Sequence, residues 1–196
     1  MKETAEELRA RILSGAIALF IEKGIEKVTT RELTEHLGLS RSHIYHYFRD
    51  WQTLCLEAMT VYMQADLDNL KSAIAGLPVR KRLDLLMQNY LPEVRDAVWQ
   101  LYGSLWQMAV HDETWAGLAR QMVEKWQRLL ADIITAGIAE GEFSSDNAER
   151  ATRQLGAIVN GYSDLLIVEP SVSARQQAMD DINAFITLAL MSHRSG

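Results

Sequence analysis

Between Thr29 and Leu54 the chain reads TTRELTEHLGLSRSHIYHYFRDWQTL, and the side chains best equipped for chemistry are concentrated there. Arg41, Ser42 and His43 follow Ser40 in succession, with Tyr45, His46 and Tyr47 about one helical turn further on. An arginine can place two parallel N–H donors on the O6/N7 edge of guanine, the commonest specific contact to a base. Ser42 and His43 can bond to base edges or to phosphates, and so can the polar tips of Tyr45, His46 and Tyr47. Upstream, Thr29 and Thr30 bring hydroxyls and backbone N–H groups suited to phosphate, beside Arg31, which is expected to point into a groove. The chemistry on offer is recognition by hydrogen bonding. Bond-making chemistry is not in view: the sequence has no P-loop, no nucleophile elbow and no Gly-rich dinucleotide turn. His36, His43 and His46 include an i, i+3 pair, yet no Cys or carboxylate stands at a supporting spacing, so no metal site, cofactor or enzyme is expected.

Such side chains act only if short helices hold them rigidly. Thr29 with Glu32 forms a capping box and opens a helix carrying Leu33 and Leu37, which stops at Gly38. Ser40 caps the following helix, with Ile44, Tyr45 and Phe48 on its apolar side. Two short helices joined by Gly38-Leu39-Ser40 have the arrangement of a helix-turn-helix, whose second helix enters the major groove by its N-terminal end. Before it, Thr4 and Glu7 cap a helix bearing Leu8, Ile12, Ala16, Leu19 and Phe20, ended by Gly24. After it, a helix is expected from Trp51 to about Ala75. The remainder keeps helical spacing throughout, and no stretch alternates polar and apolar residues as a strand would. The expected fold class is all-α, with about nine helices, the last two covering about 146–168 and 174–192.

The chain has 196 residues, 48% hydrophobic and 23% charged, a balance typical of globular proteins. One cysteine, Cys55, excludes an internal disulfide, and its place just inside a helix suggests buried core. No apolar run approaches the roughly 18 residues of a membrane span, and the polar, acidic start is unlike a signal peptide. A cytoplasmic protein without a membrane partner is expected. The net charge of −6 is unevenly placed. Up to Cys55 eight Lys and Arg meet eight Asp and Glu, and the whole excess of acid lies beyond. The division this suggests is 1–54 for the reading chemistry and 55–196 for a separate, acidic part. A neutral reading head on an acidic body should bind random duplex weakly, with little tolerance of salt.

The stretch Val28-Thr29-Thr30-Arg31-Glu32-Leu33, then Gly38-Leu39-Ser40, Ile44-Tyr45-His46-Tyr47-Phe48 and Leu54 resembles the helix-turn-helix of the tetracycline-repressor (TetR) family of bacterial regulators. Ala18, Leu19, Phe20 and Gly24 fit that family's preceding helix, so the resemblance covers about 8–54. It implies that Thr30, Arg31, Arg41, Ser42, His43, Tyr45 and Tyr47 touch DNA, and that the chain is a regulator, most simply a repressor. An activator, or a helical adaptor using the motif for protein contacts, are the alternatives. There are departures from the family pattern. Thr34 and Leu37 stand where alanine is common, Ser42 often replaces a glycine, and Trp51 replaces a lysine that binds phosphate. Trp51 is expected either to pack on the core or to offer its indole N–H to a phosphate.

Farther on, Trp99 to Trp106, Asp112, Trp126, Gly141-Glu142-Phe143 and Gly161 are similar to the C-terminal part of choline-responsive betaine-pathway repressors. The resemblance implies a homodimer through the last two helices, and the small residues Ala151, Gly156, Ala157, Gly161, Ala178, Ala184 and Ala189 would let such helices approach closely. Four of the five tryptophans fall within 99–126. Helical offsets put Trp99, Tyr102 and Trp106 on one face and Trp115, Met122 and Trp126 on another, with Tyr90 nearby in sequence. These stripes serve plain core or line a ligand cavity. Beside Asp96, Asp112 or Glu113 they would suit an organic cation as the small-molecule inducer.

Overall fold

The computed structural model describes residues 3–191; Met1, Lys2 and 192–196, including the expected end of the last helix at Ser192, lie outside the described residues. Among those described there are nine α-helices and no strand. They are α1 (Ala5–Lys23), α2 (Thr30–Leu37), α3 (Arg41–Tyr47), α4 (Trp51–Ile74), α5 (Val79–Asn89), α6 (Ala97–His111), α7 (Glu113–Ala139), α8 (Ala148–Val168) and α9 (Val172–Ile186). A 3-10 turn, Ile25–Lys27, follows α1, and a π-helical turn, Thr187–Met191, follows α9. The all-α expectation holds. α9 starts two residues before the expected Ala174, because the Ser171 hydroxyl accepts the Ala174 N–H at 3.1 Å and caps it. No helix among the described residues is long and apolar enough to cross a membrane.

The chain forms two compact units, and these do not follow one cut. One gathers the residues up to Asp66 with Ala97–Arg120; the other gathers Leu67–Asp96 with the residues from Gln121 on. The reason is that α6 returns to pack on α1 and the 3-10 turn, burying Leu101 and Leu105. The division at 54–55 expected from charge therefore differs from the division of the chain into compact units.

In the unit containing the helix-turn-helix, α1 buries Ile12, Leu13, Ala16, Leu19 and Phe20, with α2 and α6 packed on it and α3 on α2. Here one departure from the family pattern finds its physical basis. A Cβ on Gly15 would lie 2.7 Å from a Leu37 methyl group, so the glycine leaves room for leucine where alanine is common. The other unit has a core of Leu67, Leu83, Leu86, Met87, Leu130, Ile134, Leu155, Val159 and Ile182, among others, and α8, α5 and the π-helical turn pack on α9. Past α7 the Glu142 and Phe143 N–H groups both donate to the Gly137 carbonyl, and the Phe143 ring folds back onto Gly137. A Cβ there would lie 2.1 Å from that buried ring, so position 137 has space only for glycine.

Candidate nucleic-acid interface

Two caps set the ends of the helix-turn-helix. At the start of α2 the Thr29 N–H donates to Glu32 at 2.9 Å and the Glu32 N–H donates back to the Thr29 hydroxyl at 3.3 Å, completing the expected box. The Thr29 backbone N–H, the Lys23 ammonium and the Thr29 hydroxyl hold the Glu32 carboxyl below its ordinary range. α2 ends at Gly38, whose φ of 65° is left-handed and favours a residue without a Cβ. The Leu39 N–H then donates to the Thr34 carbonyl at 3.0 Å, and Ser40 accepts the His43 N–H at 3.3 Å to open α3. One turn and two caps thus fix the direction of a helix only seven residues long.

What holds α3 down is apolar. Ile44 is fully buried within it, and Phe48 just beyond is also buried. With that side committed, Arg41, Ser42, His43 and His46 are exposed, while Tyr45 and Tyr47 are half-buried at the edge. The Ser40 hydroxyl lies 2.8 Å from both the Ser42 hydroxyl and His43 Nδ1. The Arg41 guanidinium lies over the Tyr45 ring, 5.4 Å from its centroid, and the Tyr45 hydroxyl is 3.0 Å from that of Thr30. His46 meets Tyr47 edge to face at 5.1 Å. Arg31 is exposed and its Nε donates to Glu35 at 2.8 Å. The ten positions named from sequence, Ser40 among them, thus lie on α2 and its cap Thr29, on α3, and in the turn between the two helices. The hydroxyls of Thr29 and Thr30, expected to be open to phosphate, are engaged with Glu32 and Tyr45 instead.

Trp51 takes the core alternative. It is half-buried at the start of α4, its ring edge-on to Phe20 at 6.4 Å. Just before it, Asp50 accepts the Thr53 N–H at 2.7 Å, and that bond, with the Thr53 hydroxyl and Arg49, pulls its carboxyl down to about 2. Cys55 is buried, and burial pushes its thiol up to about 12. Three contacts were invisible in sequence. Arg9 of α1 pairs with Glu57 and lies over the Phe48 ring at 5.0 Å, and Gln52 donates to Asp112 at 3.0 Å. Each spans dozens of residues, beyond the reach of any local pattern.

The aromatic residues named as ligand candidates fall into separate groups. In the helix-turn-helix unit Trp99 lies 6.0 Å from Tyr102, and Tyr102 lies 6.5 Å from Tyr62 of α4. The Tyr102 hydroxyl donates to Asp66 at 2.6 Å. Trp106 is half-buried, and Trp115 is buried beside a cleft that Met108 and His111 also line. In the other unit Tyr90 meets Trp126 edge to face at 5.6 Å, and Met122 is buried; burial raises the Tyr90 phenol above its ordinary range. The carboxylate bonded to the ring group is Asp66, which was not among the expected Asp96, Asp112 and Glu113. Asp112 caps α7 through the Thr114 and Trp115 N–H groups, and Glu113 pairs with Arg120 at 2.5 Å. Tyr62 and Asp66 were missed because they stand on a helix more than thirty residues before Trp99, one turn apart.

A model of the tetR family of bacterial regulatory proteins matches residues 12–58, and a model of the C-terminal part of BetI-type transcriptional repressors matches 79–190. An HTH-type transcriptional repressor of Mycobacterium tuberculosis is 46% identical over 46 residues, 24% of this chain and 25% of that protein. The HTH-type transcriptional repressor KstR2 of Rhodococcus jostii is 24% identical over 142 residues, 70% of this chain and 69% of that protein. The chain thus spans only a quarter of the length of the Mycobacterium relative. The fold is similar to that of a TetR transcription regulator from Haloarcula marismortui, with a TM-score of 0.83 at 19% identity, over 94% of this chain and 99% of that one. It is also similar to a protein from Saccharomonospora viridis classed with transcriptional regulators and solved in complex with choline. There the TM-score is 0.80 at 21% identity, over 94% of this chain and 98% of that one.

Proposed function

Because the chain belongs to the tetR family of bacterial regulatory proteins, with a C-terminal part of the BetI repressor type, we propose that it is a sequence-specific, DNA-binding transcriptional repressor acting in the cytoplasm as a homodimer. It reads a palindromic operator, leaves it when a small organic cation binds, and catalyses no reaction. One observation carries the DNA reading: α3 is anchored by Ile44 and Phe48 while Arg41, Ser42, His43 and His46 remain exposed. The reading chemistry belongs to 1–54, and the ligand and dimer surfaces to 55–196. A gel shift with the DNA upstream of its own gene tests this. Arg41→Ala is expected to abolish the specific shift with helicity unchanged; undiminished specific binding would remove α3 from the reading role.

The dimer reading rests on α8, α9 and the turn after it, where Leu165, Val168, Val172 and Leu188 are each about 70% exposed. Apolar residues that protrude from paired helices suit a second copy of the same surface. Two half-sites, about 34–36 Å apart on DNA, then need both recognition helices at once.

For the ligand, Tyr62, Trp99 and Tyr102 beside Asp66 combine aromatic faces with a carboxylate, the pairing that favours a quaternary or protonated amine. The Saccharomonospora viridis protein with choline supports the same class. Tyr62 and Asp66 stand on α4, whose first residue packs on Phe20; a ligand among these rings would push directly on that helix, about 16 Å from its start. Linkage requires the ligand and DNA to weaken each other by one common factor. Calorimetric titration with choline and related quaternary amines tests the class: no heat with any of them would sink it.

A further inference from the structure

The two arginines of the reading face are held differently. Arg31 is committed to a carboxylate: its Nε donates to Glu35 at 2.8 Å, so a DNA contact through that nitrogen must share or break an ion pair. Arg41 rests on a neutral ring. Its guanidinium carbon lies 5.4 Å from the Tyr45 centroid, and among the described residues no carbonyl or carboxylate accepts from it. A ring takes up no carboxylate or carbonyl partner, so the guanidinium keeps N–H donors for a fork-shaped contact. The ring itself is fixed twice: it is half-buried, and its hydroxyl is bonded at 3.0 Å to that of Thr30, the first residue of α2. The Thr30 hydroxyl is engaged in the same bond.

We propose that Thr30, Tyr45 and Arg41 form one aiming unit, in which the hydroxyl pair fixes the phenol ring and the ring presents Arg41 to the O6/N7 edge of a guanine in each half-site. The proposal rests on the DNA-binding reading above. It departs from the expectation that Thr30 and Tyr45 each touch DNA on their own: Thr30 and Tyr45 are positioning residues, and Arg41 is the reader. Holding the guanidinium before contact reduces the rotamer freedom lost on binding, which is how such an arrangement gains selectivity.

The test uses the full chain. Duplexes enriched by the wild-type protein from a random pool define the half-site, and each guanine in it is then replaced by 7-deazaguanine, which lacks the N7 acceptor. Affinity is read by fluorescence anisotropy for wild type, Arg41→Lys, Thr30→Val, Tyr45→Phe and the Thr30→Val/Tyr45→Phe double variant, each checked for unchanged helicity and melting. At one guanine the wild type should lose about tenfold in affinity when N7 is removed, and Arg41→Lys should lose that dependence. Thr30→Val and Tyr45→Phe should each shrink it several-fold, and the double variant should resemble either single one. Undiminished N7 dependence in both single variants, or losses that add in the double variant, would overturn the aiming unit while leaving DNA binding in place. Failure of the wild type to enrich any sequence would overturn the DNA reading, and the aiming unit with it.

Discussion

Helices α3 and α8 leave opposite kinds of surface uncovered. In α3, seven residues long, the apolar side is used up by the core at Ile44, and what faces outward is Arg41, Ser42, His43 and His46. In α8, 21 residues long, the buried side takes Leu155, Val159 and Leu166, and yet Leu165 and Val168 remain exposed at 67% and 73%. A short helix with one buried anchor depends on its caps and neighbours for stability, and displays donors suited to a wet, charged, polar partner. A long helix with an apolar row to spare is stable on one side and adhesive on the other. The contrast is the basis of the proposed division of partners, nucleic acid for α3 and a second copy of the chain for α8.

The comparison breaks first at the anchor. Ile44→Ala should destabilise the helix-turn-helix unit by about 2–5 kcal/mol, since a fully buried side chain is removed and α3 has no second one. Thermal melting followed by helicity measures this; a variant as stable as wild type would mean that α3 is held by something else. On α8 the same kind of change should leave the protomer's fold intact. Leu165→Glu is expected to raise the dimer dissociation constant by more than about tenfold in sedimentation equilibrium. An unchanged dimer would place the interface away from that face.

Smaller effects sharpen the picture of how α2 and α4 begin. Thr29→Ala removes a reciprocal box and should cost about 1 kcal/mol in chemical denaturation; no change would mean that Lys23 and Glu32 keep the end closed without it. The smallest effect concerns acid. Asp50 has its folded pKa lowered from 3.8 to about 2, so its contribution is complete above pH 4 and is lost as pH falls through about 2. Asp50→Asn should therefore flatten part of the loss of stability between pH 4 and 2 and leave its profile above pH 5 unchanged in shape. An equally steep loss in the variant would assign the acid sensitivity to other carboxylates.

Local signals made most of the fold readable. Thr4, Thr29 and Ser40 cap where their spacing to later residues says they should, and Gly24 and Gly38 end the helices before them. Ile44 and Phe48 are buried as their helical offsets imply. Aromatic spacing was less informative. Trp99 and Tyr102 on one helix face do meet, but their further partners, Tyr62 and Asp66, come from α4, and Tyr90 and Trp126 pair elsewhere. An offset of three or four residues determines which side chains share a face and says nothing about which helix covers that face. For the same reason α6 joins the helix-turn-helix unit, a placement that the charge break near residue 55 could not suggest.

By itself, then, the sequence determined the all-α class, the caps and stops of the first three helices and the candidate residues of a reading face, because caps, turns and amphipathic spacing act over a handful of residues. Tertiary structure alone decided which polar groups on that face are engaged and which remain open. Thr30 turned its hydroxyl to Tyr45, Arg31 closed on Glu35, Arg41 came to rest on a ring, and Trp51 packed on Phe20 instead of facing solvent. The physical reason is that side chains compete for partners across space. The packing of α1, α2 and α3 settles that competition where the spacing of residues along the chain cannot.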